Sequence, residues 1–127
     1  MIVVDTNLIV ALICNTDNTE VALSVWEKDS EWVAPDIWQH EFRNALVMML
    51  RHQVIGKQSA LEAFRLANSY VETVPAGTGA ILKICEQYPI TAYDAEFAAL
   101  SEQMGLPLVS FDADLTENGL ALRPARF

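Results

Sequence analysis

Basic residues are scarce in this chain. Its 127 residues include only 8 lysines and arginines against 17 aspartates and glutamates, which gives a formal net charge of −9 at pH 7. Proteins that bind nucleic acid by general attraction to phosphate carry the opposite balance. The composition therefore argues against a basic nucleic-acid-binding module. It is compatible with a nucleic-acid enzyme whose acidic groups hold a cation.

Cysteine, linker sequence and long apolar runs are also scarce or absent. Cys14 and Cys85 lie in apolar helical patterns, and neither His40 nor His52 has a cysteine nearby, so no disulfide scaffold or zinc site is expected. No basic region precedes the apolar N-terminal run, and the apolar stretch 8–14 is too short to span a bilayer. We expect no signal peptide, no membrane helix, a cytoplasmic location and one domain over 1–127.

Short apolar runs alternate with amphipathic stretches along the chain. The runs predict strands at 1–4, 32–34, 70–74 and 108–111, with a last edge strand at 120–123. Between them the pattern predicts helices at 8–14, 19–28, 37–53, 59–69, 79–88 and 91–104, with Gly105 ending the last of these. Such alternation predicts an α/β fold, a three-layer α/β/α sandwich around a mainly parallel sheet of roughly five strands.

Acidic residues follow two of the predicted strands directly. Asp5 comes after the run IVV, and Asp112 follows LVSF. Asp94 lies in the first turn of a predicted helix, and Glu41 lies one turn into another, with Asn44 on the same helix face. Because sites in open parallel sheets lie beyond the carboxyl ends of the strands, these acids are expected to converge there. Convergent carboxylates repel one another unless they share a divalent cation, and oxygen ligands favour Mg²⁺ or Mn²⁺.

Each acid taken singly also has a structural interpretation. Asp5 is placed to cap the helix that follows it, and Asp94 to complete a capping box with Thr91. Asp112 is placed to begin a turn, together with Asp114, and Glu41 fits an exposed helix face. The site hypothesis depends on all four acids reaching one edge of one sheet.

Three stretches of the chain resemble conserved segments of the PIN-domain family, and within it the VapC-type toxins of toxin–antitoxin pairs. The stretches are VVDTNLIVAL, PDIWQHEFRNAL and ITAYDAEFAALSEQMGLPLVSFDADL. In them Asp5, Glu41, Asp94 and Asp112 match the family's four acids in order. The resemblance implies a metal-dependent endoribonuclease that uses one or two Mg²⁺ or Mn²⁺ ions and leaves a 5′-phosphate and a 3′-hydroxyl. It also implies a homodimer and an antitoxin partner, while the lack of a membrane helix in the sequence predicts no association with membranes.

Other polar residues near these acids are candidates for supporting roles. Four of them are expected to orient ligands, water or phosphate, namely Thr6, Asn7, Asn44 and Ser110. Asp114 is either an auxiliary acid or an ordinary turn residue, and we favour the turn. Arg51 and Arg43 are candidate phosphate contacts, although an exposed helix arginine is the alternative for both.

Three other functions remain open at this point. A PIN domain can serve as a nuclease outside any toxin pair, or keep its fold as a catalytically silent binding module. The third is a phosphatase with Asp5 as its nucleophile. That chemistry uses a second aspartate two positions later, where this chain has Asn7, and a lysine near a later strand end, whereas Lys83 falls within a predicted helix.

Overall fold

The computed structural model describes residues 1–127 as helices and short strands in alternation. The strands are β1 (Ile2–Val4), β2 (Trp32–Ala34), β3 (Val71–Thr73) and β4 (Leu108–Val109). The helices are α1 (Thr6–Ile13), α2 (Thr19–Lys28), α3 (Ile37–Arg51), α4 (Lys57–Tyr70), α5 (Thr78–Gln87), α6 (Ala92–Met104) and α7 (Ala113–Glu117), followed by a 3₁₀ helix at Pro124–Arg126. None of the helices is both long and apolar enough to cross a membrane.

The sheet is parallel throughout and has the strand order β3-β2-β1-β4. This confirms the predicted α/β class and parallel sheet, but the strand count is four rather than five. The segment predicted as a fifth strand forms a single bridge between Val109 and Leu122. Pro124 then opens the 3₁₀ helix. Because proline has no N–H and a fixed φ, the chain leaves the sheet before a longer ladder can form.

Strands β1 and β2 are buried on both faces, which explains their continuous apolar sequence. Every residue of IVV and WVA is buried, so helices cover the sheet on its two sides. Trp32, Trp38 and Phe42 are among the largest fully buried side chains of the core. β1 lies inside the sheet and β4 pairs with it in parallel as the outermost strand, so the two strands deliver Asp5 and Asp112 to the same edge, at their carboxyl ends.

Helix ends at this edge are capped by polar side chains. Asp5 accepts a hydrogen bond from the Leu8 N–H of α1, Thr91 from the Asp94 N–H of α6, and Asp112 from the Leu115 N–H of α7. At the far end of α6, Gly105 adopts the left-handed conformation with φ of 64°, as the sequence predicts.

Several local predictions are wrong. The sequence of Asp36 followed by Gln39 predicts a capping box at the start of α3, but Asp36 has helical dihedral angles and makes no side-chain cap bond. Helix α1 begins at Thr6, two residues early, and Tyr70 ends α4 rather than opening a strand. The turn expected after Phe111 is instead the start of α7, a helix too short for an apolar period to reveal.

Candidate active site

A cavity of about 430 Å³ opens at the carboxyl ends of β1 and β4. Thirteen residues from α1, α3, α6, α7 and the strand ends line it. Seven of them are predicted site residues: Asp5, Thr6, Asn7, Glu41, Asn44, Asp94 and Asp112. Predicted site residues up to 107 positions apart in sequence therefore meet in one depression, as expected at the carboxyl ends of parallel strands.

Asp5 forms the floor of the cavity and is almost completely buried, with 5% of its surface exposed. Its Oδ1 accepts the Leu8 N–H at 2.8 Å, while Oδ2 accepts the Ser110 hydroxyl at 2.5 Å and the Phe111 N–H at 3.1 Å. Burial raises the pKa of this carboxyl to about 6, and the three hydrogen bonds oppose that rise. Ser110 thus contacts the acid directly from behind the cavity.

Glu41 is held in a similar way by a hydroxyl group. The Thr6 Oγ1 donates to Glu41 Oε1 at 2.7 Å, which ties α3 to the first turn of α1. Burial raises the pKa of Glu41, the Thr6 bond lowers it, and the charges of Asp94 and Asp112 raise it again. We call Asp5 and Glu41 the hydroxyl-bound pair.

Asp94, Asp112 and Asp114 form a second group, the helix-end triad. One carboxylate oxygen from each residue lies within 4.8 Å of the other two. Asp94 is in the first turn of α6, Asp112 caps α7 and Asp114 follows in its first turn. Burial raises the pKa of Asp94, and the charge of Asp112 adds to that rise. Carboxylates at this spacing match the ligand preference of a small divalent cation.

No lysine or arginine lines the cavity. The ion pairs of the chain lie elsewhere and join the terminal ammonium of Met1 to Asp29 and Glu31, and Lys83 to Glu102. The acids of the cavity consequently lack any side-chain counter-charge within the protein. Their mutual repulsion favours a bound cation.

The predicted arginines lie outside the cavity. Arg43 stacks over the ring of Phe64 with its Cζ 4.8 Å from the ring centroid, and lines an apolar groove between α3 and α4. Arg51 is in the last turn of α3, ten residues beyond Glu41, which is about 15 Å along the helix axis. Their proposed contact with phosphate stays a prediction.

Two further residues, His40 and Tyr93, line the cavity although the sequence pattern predicts no role for either. His40 is exposed on α3 and Tyr93 on α6, where 63% of its surface is accessible. Their positions in the sequence could have indicated a place in the site, because His40 precedes Asn44 by one helical turn and Tyr93 adjoins Asp94. Asp114, favoured from the sequence as a turn residue, is instead close to Asp94 and Asp112.

The parallel sheet and the carboxylates at its strand ends define an α/β domain with an acidic site. Residues 2–119 match the family model described as the PIN domain, and the chain belongs to this family. This confirms the family resemblance seen in the three sequence stretches. No curated protein matches the chain by sequence.

Solved structures with this fold include a toxin and toxin–antitoxin complexes. A toxin–antitoxin complex from Klebsiella pneumoniae is 15% identical with a TM-score of 0.75, over 100% of both chains. The sarcin–ricin-loop-cleaving toxin VapC20 of Mycobacterium tuberculosis is 18% identical with a TM-score of 0.70, over 98% of this chain and 100% of that one. VapBC2 of Rickettsia felis, bound to promoter DNA, is 16% identical with a TM-score of 0.65, over 97% of each chain. At these identities the likeness is one of fold.

Proposed function

We propose that this protein is a divalent-metal-dependent endoribonuclease and the toxin of a toxin–antitoxin pair. The observation that carries the proposal is the cavity itself. It gathers Asp5, Glu41, Asp94 and Asp112 from four separate segments and contains no lysine or arginine side chain. An acidic cavity of this kind suits a cation better than an anionic substrate on its own.

The donor set fits Mg²⁺ or Mn²⁺. All the charged donors are carboxylate oxygens, which hard divalent cations prefer, and the cavity offers neither cysteine nor a histidine cluster of the type that zinc favours. Asp94 and Asp112 would hold the ion, with Asp114 beside them and Asp5 and Glu41 directly or through water. One or two ions are compatible with this number of acids.

A divalent ion in this position supplies Lewis acidity, which makes water a better nucleophile and offsets charge that develops on a phosphate. The protein's own groups fix the geometry. Ser110 and the Phe111 N–H hold one oxygen of Asp5, while Thr6 holds one oxygen of Glu41. Asn7 and Asn44 line the cavity with neutral amides that can orient phosphate or water.

The geometry of Asp5 argues against the phosphatase alternative. Both carboxylate oxygens already accept hydrogen bonds, and the residue is 5% exposed. A phosphoryl acceptor needs an accessible oxygen with room for in-line attack. Asp5 therefore suits the role of an anchored ligand better than that of a nucleophile.

Purified protein tests the nuclease proposal. Single-stranded RNA should be cleaved with Mn²⁺ or Mg²⁺ and left intact with EDTA, with 5′-phosphate and 3′-hydroxyl ends on the products. Glu41→Gln should be inactive under the same conditions, while Asp17→Asn, which changes an exposed acid outside the cavity, should match the wild type. Equal cleavage in EDTA would contradict metal dependence. A silent binding module would instead bind RNA without cutting it.

The toxin proposal concerns partners. Two of the solved structures described above are complexes of toxin with antitoxin or of a toxin–antitoxin pair with DNA, which supports an antitoxin as a partner here. The description of VapC20 as a toxin that cleaves the sarcin–ricin loop supports RNA as the substrate, and a second copy of the chain stays a prediction of the family resemblance. When the wild-type protein is expressed in the cytoplasm of a bacterial host, growth should stop. Expression of the Glu41→Gln variant should not stop growth. A non-toxin nuclease would cleave RNA in vitro yet leave growth unchanged.

A further inference from the structure

The mouth of the acidic cavity contains one imidazole that the proposed metal chemistry does not use. His40 lies on α3, lines the cavity and is exposed to solvent. Among the thirteen lining residues it is the only histidine, and none is a lysine or arginine. A phosphodiester entering this negative cavity needs hydrogen-bond donors, and His40 is placed to supply one.

Contact with Arg43 restricts the orientation and the tautomer of the His40 imidazole. The Arg43 Nη1 lies 3.4 Å from His40 Nδ1, one helical turn along α3. A guanidinium group has N–H donors and no acceptor, so Nδ1 must be the accepting nitrogen of this contact. The imidazole proton then belongs on Nε2, the nitrogen that faces away from Arg43.

The position of Arg43 is itself fixed by packing against aromatic rings. Its guanidinium lies over the Phe64 ring, at 4.8 Å from the centroid. That ring in turn packs against Trp38 and Phe42, with centroids 6.3 and 6.1 Å away. Both partners are fully buried. The orientation of His40 is thus connected through Arg43 to the rigid core.

We propose that His40 binds the RNA backbone by donating its Nε2–H to a phosphate oxygen, and that Arg43 positions the imidazole for this contact. The inference rests on the proposed ribonuclease function and adds a substrate-binding residue to it. A donor without the permanent charge of lysine or arginine is well suited to this place, because a lysine or arginine here would pair with the neighbouring carboxylates and compete with a metal ion for them. Arg43 itself stays outside the cavity, where its charge meets the Phe64 ring.

Steady-state cleavage of a single-stranded RNA oligonucleotide with Mn²⁺ tests the substrate contact. His40→Leu, which keeps the bulk and removes the donor, should raise KM about tenfold and leave kcat within about twofold, since the bond is present before and during reaction. His40→Gln retains an N–H near the Nε2 position and should restore KM to within about threefold of the wild type. An unchanged KM for His40→Leu overturns the proposal.

The positioning role of Arg43 needs its own variants. Arg43→Met should raise KM in the same sense as His40→Leu but by less, and the double variant should add nothing further to His40→Leu. Arg43→Lys keeps a donor and should recover part of the loss, while Arg65→Met on the exposed side of α4 is the matched control. Additive effects of Arg43→Met and His40→Leu overturn the positioning role.

Nuclear magnetic resonance provides a readout that does not require activity. Two-bond ¹H–¹⁵N correlations should show His40 with its proton on Nε2 when neutral, and Arg43→Met should broaden or redistribute that tautomer. His52, the only other histidine and also exposed, serves as the internal reference. A proton on Nδ1 overturns the proposal even if His40→Leu weakens cleavage.

Failure of this inference can be separated from failure of the ribonuclease proposal. If the wild type cleaves RNA and His40→Leu has an unchanged KM, only the proposed His40 contact is contradicted. If the wild type shows no metal-dependent RNA cleavage, both proposals are contradicted. If His40→Leu loses kcat at unchanged KM and wild-type products end in a 2′,3′-cyclic phosphate, His40 acts as an acid or base, and the binding role is overturned.

Discussion

The two groups of carboxylates in this cavity are held in different ways. In the hydroxyl-bound pair, Asp5 and Glu41 each have an oxygen fixed by the hydroxyl of Ser110 or Thr6, and Asp5 is deeply buried. In the helix-end triad, Asp94, Asp112 and Asp114 are partly or fully exposed and lie within 4.8 Å of one another.

The difference assigns separate tasks to the two groups. The hydroxyl-bound pair has orientations imposed by the fold, at the cost of burying charge. The helix-end triad has fewer internal partners, so its close spacing is relieved mainly by a cation from solution. We therefore expect substitutions in the triad to act on metal binding, and substitutions behind the pair to act through misplacement of ligands.

The largest expected effect on metal binding is in the triad. Asp94→Asn should lower RNA cleavage by roughly 10²–10³, because it removes a charged ligand from the centre of the group. Calorimetric titration with Mn²⁺ should show the matching loss of affinity, and the melting temperature without metal should not fall, since repulsion is relieved. Full cleavage by Asp94→Asn would contradict the assignment of metal binding to the helix-end triad.

A smaller loss is expected from removing a hydroxyl behind the pair. Thr6→Val keeps the shape of the side chain but removes the donor to Glu41, and cleavage should fall about 10- to 100-fold. Thr6→Ser keeps the donor and should retain most of the activity. Equal activities for the two variants would show that the bond does not position Glu41.

The burial of Asp5 in the hydroxyl-bound pair should make the stability of the protein depend on pH. Asp5 has a folded pKa of about 6 against an ordinary value of 3.8, so the folded state binds its proton more tightly than the unfolded state does. The penalty for ionising it is present above pH 6 and is relieved as the pH falls towards 4. Between pH 7.5 and 5, the metal-free protein should gain about 1.4 kcal/mol from this residue.

Urea unfolding at the two pH values measures that gain, and Asp5→Asn is the comparison. The variant cannot ionise at this position, so its stability should change less over the same interval. The raised pKa values of Glu41 and Asp94 act in the same direction, and the lowered pKa of Asp29 opposes them, in both proteins alike. If the free energy of unfolding changed equally with pH in the two proteins, the raised pKa of Asp5 would be contradicted.

The smallest effect is expected at Asp114, the most exposed member of the triad. Asp114→Asn should weaken Mn²⁺ binding and cleavage only a few-fold, because solvent screens its charge and it does not line the cavity. A loss as large as that of Asp94→Asn would make Asp114 a full ligand and enlarge the site beyond the four predicted acids.

The sequence alone predicted features that are marked by a regular spacing of apolar residues or by a characteristic order of residues along the chain. The run IVV with its acid predicted β1 and Asp5, and the helix positions of Glu41 and Asp94, together with the family resemblance, predicted that these acids reach the same site. Features set by short segments or tertiary contacts were missed. Helix α7 has only five residues, the edge after Leu122 depends on where Pro124 turns the chain, and the Arg43–His40 contact is visible only once Phe64 is in place.

The bond between Ser110 and Asp5 joins residues 105 positions apart, and so it has a consequence for the order of synthesis. A ribosome delivers Asp5 long before Ser110, and closure of such a long loop follows formation of the local helices. A nascent chain that stops short of β4 has neither Ser110 to hold Asp5 nor Asp112 to line the cavity. The growing polypeptide therefore cannot assemble the acidic cavity until β4 and the segment after it have been synthesised.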